Sequence, residues 1–149
     1  MALEVVGVDE VERLLVGLAT DIKESGYNPE VIIGMTRKGL YPALRLAIML
    51  GVPGDRLGTL AAIKGADGRY HVTDLTRVNV AGLRVLAVDD FSVSNRLLPS
   101  VADQLRTEGA ADVRTCVMAA VMPGPDFVGR IGPVRPWYFE RITRQERSS

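Results

Sequence analysis

Apolar positions fall into two kinds of run that take turns along the chain, one spaced as on a helix face and one unbroken. Val11, Leu14, Leu15, Leu18 and Ile22 recur at helical spacing until Gly26 interrupts them, which predicts an amphipathic first helix. Asp9, followed three positions later by Glu12, reads as a capping-box variant at its start. Val31-Ile32-Ile33-Gly34 is an unbroken run and predicts a short strand buried on both faces. Residues 40–50 then read as a helix, with Pro42 tolerated in the first turn and Gly51 ending it. A weaker strand covers roughly residues 56–63, and Gly65-Ala66-Asp67-Gly68 is a turn. Residues 64–80 lack a clear period and are expected to form a mobile loop or an irregular hairpin. A second doubly buried strand spans residues 84–88, a helix runs from about Pro99 to residue 107 and ends near Gly109, and residues 113–121 form the next strand.

Strands that take turns with helices predict an α/β fold with a mostly parallel central sheet flanked by helices. With no internal repeat or linker-like change in composition, residues 1–140 are expected to be one domain, followed by a polar tail over 141–149. Ligands in such sheets bind beyond the carboxyl ends of the strands. Two segments are predicted there, residues 34–39 and 89–98.

Composition narrows the chemistry. The 149 residues are 47% hydrophobic, enough for a core. Eighteen Lys and Arg balance 18 Asp and Glu, so no net field attracts DNA or an acidic membrane, and any anion site is local. No apolar run approaches the length of a bilayer span, and residues 1–8 carry no secretion pattern, so a cytoplasmic protein is expected. One cysteine and one histidine exclude an intrachain disulfide and a Cys/His zinc cluster. Cys116 lies in an apolar run and reads as a buried hydrophobe, His71 as a solvated loop residue. Arg141, Arg144 and Arg147 read as part of a frayed polar end rather than a nucleic-acid site.

Asp89 and Asp90 directly follow the second buried strand, which is expected to set two adjacent carboxylates at the crevice. Such a pair suits a diol or a metal, since each can accept ribose hydroxyls or take an outer position around Mg²⁺. Arg37 and Lys38, also following a buried strand, form a candidate anion site.

Residues 84–98 read RVLAVDDFSVSNRLL, which resembles the phosphoribosyl-diphosphate motif of type I phosphoribosyltransferases: an apolar strand, two acidic residues and a loop ending in Asp-Thr-Gly-x-Thr. Residues 31–43, VIIGMTRKGLYPA, resemble the family's pyrophosphate loop, with Thr36, Arg37, Lys38 and Gly39 in the binding positions. Gly124-Pro125-Asp126-Phe127 and Arg135-Pro136-Trp137-Tyr138-Phe139-Glu140 resemble more loosely the carboxyl-terminal hood of the xanthine-guanine purine enzymes, expected here over about 122–140. The resemblance implies that Asp89 and Asp90 act on the ribose, with an indirect Mg²⁺ beside them, and that Ser92, Val93, Ser94, Asn95, Arg96 and Leu97 cradle the 5′-phosphate at a helix amino terminus. It implies that Trp137, with Tyr138 beside it, stacks on a purine base. It further implies phosphoribosyl diphosphate as co-substrate, a homodimer, a flexible loop near Lys64, Arg69 and Tyr70, and a non-proline cis bond near Arg37-Lys38.

The departures from that pattern matter as much. Against Asp-Thr-Gly-x-Thr the chain has Val93-Ser94-Asn95-Arg96-Leu97. Valine cannot handle a proton, and Leu97 removes a hydroxyl from the phosphate site. Asn95 tolerates the positive φ of the glycine it replaces, and Arg96 adds a cation. The sequence therefore leaves open a purine phosphoribosyltransferase, a degenerate relative that senses a phosphoribosyl ligand or nucleotide, and a structural protein with a vestigial site.

Overall fold

The structure, a computed structural model, describes residues 2–76 and 78–139, with the side chains of residues 74–76 left aside; Glu140 and the polar tail expected over 141–149 lie outside the described residues. The chain runs β1 (Glu4–Val6), α1 (Val8–Glu24), β2 (Val31–Met35), α2 (Leu40–Leu50), β3 (Leu57–Lys64), β4 (Tyr70–Thr76), β5 (Arg84–Ser92), α3 (Leu97–Thr107), β6 (Asp112–Ala120), β7 (Phe127–Ile131) and β8 (Val134–Pro136). A 3₁₀ turn, Trp137–Phe139, follows β8.

Six strands form the main sheet in the order β4-β3-β2-β5-β6-β7, all parallel except β4, which runs antiparallel to β3. β1 and β8 make a separate parallel pair. The mostly parallel α/β architecture expected from the hydrophobic pattern is what forms.

Each face of the sheet has its own core. Ile32, Leu86, Val88, Cys116 and Met118 meet Leu15, Leu18 and Ile22 of α1 and Ala43 and Leu46 of α2. Val31, Ile33, Val85, Ala87 and Val117 meet Leu98, Val101 and Leu105 of α3 on the other side. Neighbouring residues along β2 and β5 thus serve opposite cores, because successive strand side chains leave on opposite faces. Both strands are buried throughout their middle, which is why they read as unbroken apolar runs.

Several details correct the sequence reading. Asp9 and Glu12 form no capping box: Gly7 is the cap residue of α1 and no side chain caps it. Glu12 instead pairs with Arg45 of α2, Nη2 to Oε1 at 2.6 Å. The helix expected from Pro99 begins two residues earlier, at Leu97. Of the two forms expected for residues 64–80, the irregular hairpin is the one seen: β4 pairs back on β3 with Tyr70 opposite Lys64 and a register shift at Thr59/Leu60. His71 is exposed on that strand opposite Ile63 rather than in a loop. Within the segment expected as a hood, β7 extends the main sheet beside β6, while β8 leaves that sheet to pair with β1. Helix α2 has the expected bounds, and Gly51 ends it in the left-handed region at φ 71°. Cys116 is fully buried, and burial raises its thiol pKa.

No helix among the described residues is long and apolar enough to cross a membrane.

Leu86, wholly buried on the central strand, offers a direct check of this packing. Leu86→Ala should destabilise the protein by about 3 kcal/mol in urea unfolding, and a loss below about 1 kcal/mol would contradict its place in the core.

Candidate active site at the carboxyl ends of β2 and β5

The first site segment leaves β2. Thr36 N–H donates to Leu60 O at 2.8 Å and Gly39 N–H to Met35 O at 2.9 Å, which folds residues 36–39 back over the strand end. Arg37 and Lys38 are exposed there, Thr36 is half-buried and Gly39 buried. A Cβ on Gly39 would stand 2.7 Å from Met35 O and 2.8 Å from Val88 O, so only glycine lets this loop lie directly on the end of β5. Gly34 is similarly tight, its Cβ position 2.8 Å from Ala43 Cβ, and seats α2 against β2. The non-proline cis bond is Thr36-Arg37, one bond earlier than expected.

The second segment is the end of β5. The strand does not stop at Val88 but continues to Ser92, so Asp89 and Asp90 lie within it. This corrects the expectation that the two carboxylates follow the strand. Following the alternation of Val85, Leu86, Ala87 and Val88, Asp89 falls on the α3 side and Asp90 on the α1/α2 side. Asp89 lines a cleft of about 210 Å³ together with Tyr70 and residues 91–98. Asp90 is only 6% exposed, and its Oδ2 has no hydrogen-bond partner.

The pair still communicates. Asp90 N–H donates to Asp89 Oδ1 at 2.9 Å. Burial, and next the neighbouring Asp90 carboxyl, push the Asp89 pKa well above the ordinary carboxylate range, while the Lys38 ammonium opposes that rise.

Residues 92–97 form the turn between β5 and α3. Ser92 Oγ accepts Asn95 N–H at 3.2 Å. Asn95 takes φ 50°, the positive value expected of a glycine substitute, and its side chain packs against the Gly124 backbone, where an added Cβ would collide with it. Val93, Ser94 and Arg96 are exposed around the cleft and Leu97 is half-buried as the first residue of α3. Arg96 is the cap residue of α3 and no side chain caps the helix. Pro99 has no N–H and Ser100 N–H is taken by Arg96 O, so the N–H groups of Leu97 and Leu98 are the ones that remain for an anion.

The third segment comes from the carboxyl-terminal turn. Trp137 is 40% exposed and edge-on to Tyr138, with ring centroids 5.7 Å apart. Tyr138 does not share an open stacking face with it. Its ring packs on Tyr41 at 5.1 Å, its hydroxyl donates to Lys38 O at 3.2 Å, and Lys38 Nζ sits 3.9 Å from the Phe139 ring centre. Burial, then Asp90 and Asp89, raise the Tyr138 pKa. Neither Trp137 nor Tyr138 lines the 210 Å³ cleft. Sequence reasoning missed Tyr41, although an aromatic in the first turn after a basic loop was a usable signal.

A raised folded-state pKa means that the native protein holds the Asp89 proton more tightly than the unfolded chain. That contribution to stability is complete below the unfolded carboxyl's pKa and is lost as pH rises through the folded value. Asp89→Asn removes the loss. The variant should melt a few degrees above the parent at pH 7, the difference closing as pH falls to about 4; a lower Tm at pH 7 would overturn the assignment.

Comparison with known proteins agrees with this geometry. The family model for the phosphoribosyl transferase domain matches residues 7–128. No curated protein matches the sequence. Among solved structures, the purine phosphoribosyltransferase from Pyrococcus horikoshii Ot3 is 25% identical with a TM-score of 0.78, the alignment covering 93% of this chain and 97% of that one. The xanthine-guanine-hypoxanthine phosphoribosyltransferase of Helicobacter pylori superposes with a TM-score of 0.77 at 12% identity, over 91% and 94% of the two chains. A hypoxanthine phosphoribosyltransferase from Staphylococcus aureus gives 0.70 at 10% identity, over 84% and 74%. The last two are likenesses of fold alone. With most of its length matched by the family model, the chain belongs to the phosphoribosyltransferase family.

Proposed function

We propose that this family member transfers the 5-phosphoribosyl group from phosphoribosyl diphosphate to a purine base and releases pyrophosphate. The observation that carries the reading is the convergence on β5 of three complementary groups: the Asp89 carboxylate in the cleft, the uncapped start of α3 across it, and the 36–39 loop on the strand end. Bond breaking at the anomeric carbon leaves positive charge on the ribose and negative charge on the departing diphosphate. Asp89, holding the ribose hydroxyls, would favour the first, and Arg37, Lys38 and the backbone N–H groups of the loop would favour the second. The α3 amino terminus and Ser94 would hold the 5′-phosphate, and Trp137, exposed beside the loop, would position the base.

Mg²⁺ fits this donor set in a limited way. Asp89 offers a carboxylate at the cleft and Asp90 Oδ2 is buried without a partner. No cluster of three or more His, Cys, Asp or Glu suited to a metal exists among the described residues. The cation would thus rely on substrate oxygens and water for most of its ligands, as Mg²⁺ commonly does. When bound, it supplies neutralisation of the diphosphate charge.

A second reading is favoured by Val93. The side chain is 50% exposed at the cleft, where the resembling motif has an aspartate, and it offers the base no proton acceptor. On that reading the protein binds a phosphoribosyl ligand without turning it over.

Titration calorimetry with phosphoribosyl diphosphate and Mg²⁺, repeated with guanine, hypoxanthine, xanthine and adenine, separates the two. The transferase gives binding plus continuing heat with at least one base, and Asp89→Asn lowers that turnover by about a hundredfold or more. Binding with no turnover by any base refutes the transferase and supports the sensor. In that case the double variant Val93→Asp, Leu97→Thr should gain activity, and silence in both proteins would remove the chemistry from this cleft altogether.

A further inference from the structure

The carboxyl-terminal aromatic turn does more than border the site. It grips the anion loop at two points, both on Lys38: the Tyr138 hydroxyl donates to the Lys38 carbonyl at 3.2 Å, and the Lys38 ammonium lies 3.9 Å above the Phe139 ring. Tyr138 is fixed in turn by Tyr41, the second residue of α2, with centroids 5.1 Å apart. The ammonium of Lys38 therefore has an aromatic face to rest on, and the nearby Asp89 carboxyl feels its charge as well. Trp137 meets Tyr138 edge-on, so anything that shifts the turn is passed to the indole.

We propose that Tyr138 and Phe139 are positioning residues for Lys38: Tyr138 holds the loop's backbone in place, while Phe139 parks the ammonium until a diphosphate draws it away. The inference rests on the reading of residues 36–39 as a pyrophosphate site. A cation over a ring is held with modest energy, and a diphosphate oxygen is the stronger partner for it. Loading the loop thus costs the Phe139 contact and loosens the turn that carries Trp137. Diphosphate occupancy and the setting of the indole become one event, which makes the base face sensitive to whether the loop is filled.

Trp137 is the single tryptophan of the sequence and reports on this directly. Inorganic pyrophosphate with Mg²⁺ is titrated into the full chain, following heat and tryptophan emission in parallel. The emission should change and saturate at the same concentration as the heat. Phe139→Leu should bind pyrophosphate between about two- and fivefold more tightly, because no ring contact has to be given up, and its emission change should shrink. Tyr138→Phe, which keeps the stacking on Tyr41, should instead weaken binding and raise the KM for phosphoribosyl diphosphate with little change in kcat. A purely structural role for Phe139 predicts weaker binding in Phe139→Leu, and that sign overturns the inference. So does pyrophosphate heat without any change in emission, which leaves the pyrophosphate site itself intact. Absence of both heat and emission change would overturn the site and the inference together.

Discussion

The two-residue alternation of β5 is the constraint on which the site depends. Because β5 is central and covered on both faces, each of its side chains is committed to one core or the other, and the commitment continues past the apolar residues into Asp89 and Asp90. One carboxyl is delivered to the cleft beside α3, and the next is turned towards α2 and Tyr138. Slipping β5 by one residue against β2 and β6 would exchange them and drive the apolar residues onto the wrong helices. The core's packing energy therefore holds the carboxylates in place, and stability and chemistry draw on the same register.

Close backbone approach is the second structural means by which the site is assembled. Gly39 brings the 36–39 loop to within contact of Val88 O, and Gly34 brings α2 down onto β2. These contacts place Tyr41, at the start of α2, where Tyr138 can stack on it, and Tyr138 in turn reaches Lys38. A path of direct contacts thus joins the β2 end, the α2 start and the carboxyl-terminal turn. Raising the Asp89 pKa is a cost of the same compactness, since burial and the Asp90 carboxyl outweigh the Asp90 N–H and the Lys38 ammonium that counter them.

Much of this was legible in the sequence, for reasons that particular residues make plain. β2 and β5 were visible because both faces are buried, and α2 was bounded on each side by glycine chemistry, with Gly51 supplying the left-handed end. The limits of β5 were not legible. Asp89 and Asp90 break the apolar run and so mimic a strand end, but parallel pairing with β6 continues to Ser92 opposite Ala120. β4 was legible only as one arm of an irregular hairpin, because an edge strand with one solvated face carries less hydrophobic signal, and β7 fell within the segment read only through its resemblance to a hood. The capping box failed for a tertiary reason: Glu12 is engaged by Arg45 of the neighbouring helix. Contacts such as Tyr41 with Tyr138 join residues almost a hundred positions apart, and no local pattern announces them.

What the 92–97 turn has kept and lost follows one rule. Its backbone features survive: Asn95 holds the positive φ, Ser92 closes the turn, and α3 begins without a side-chain cap. Its side-chain features have changed, with Val93 and Leu97 in place of polar groups. Phosphate is held largely by backbone N–H groups, which do not depend on the identity of those residues, whereas a proton at the base must be handled by a side chain. Anion binding is therefore the better protected half of the site's chemistry. If transfer occurs here, the proton of the purine must pass to a group other than residue 93, to water or to the diphosphate itself.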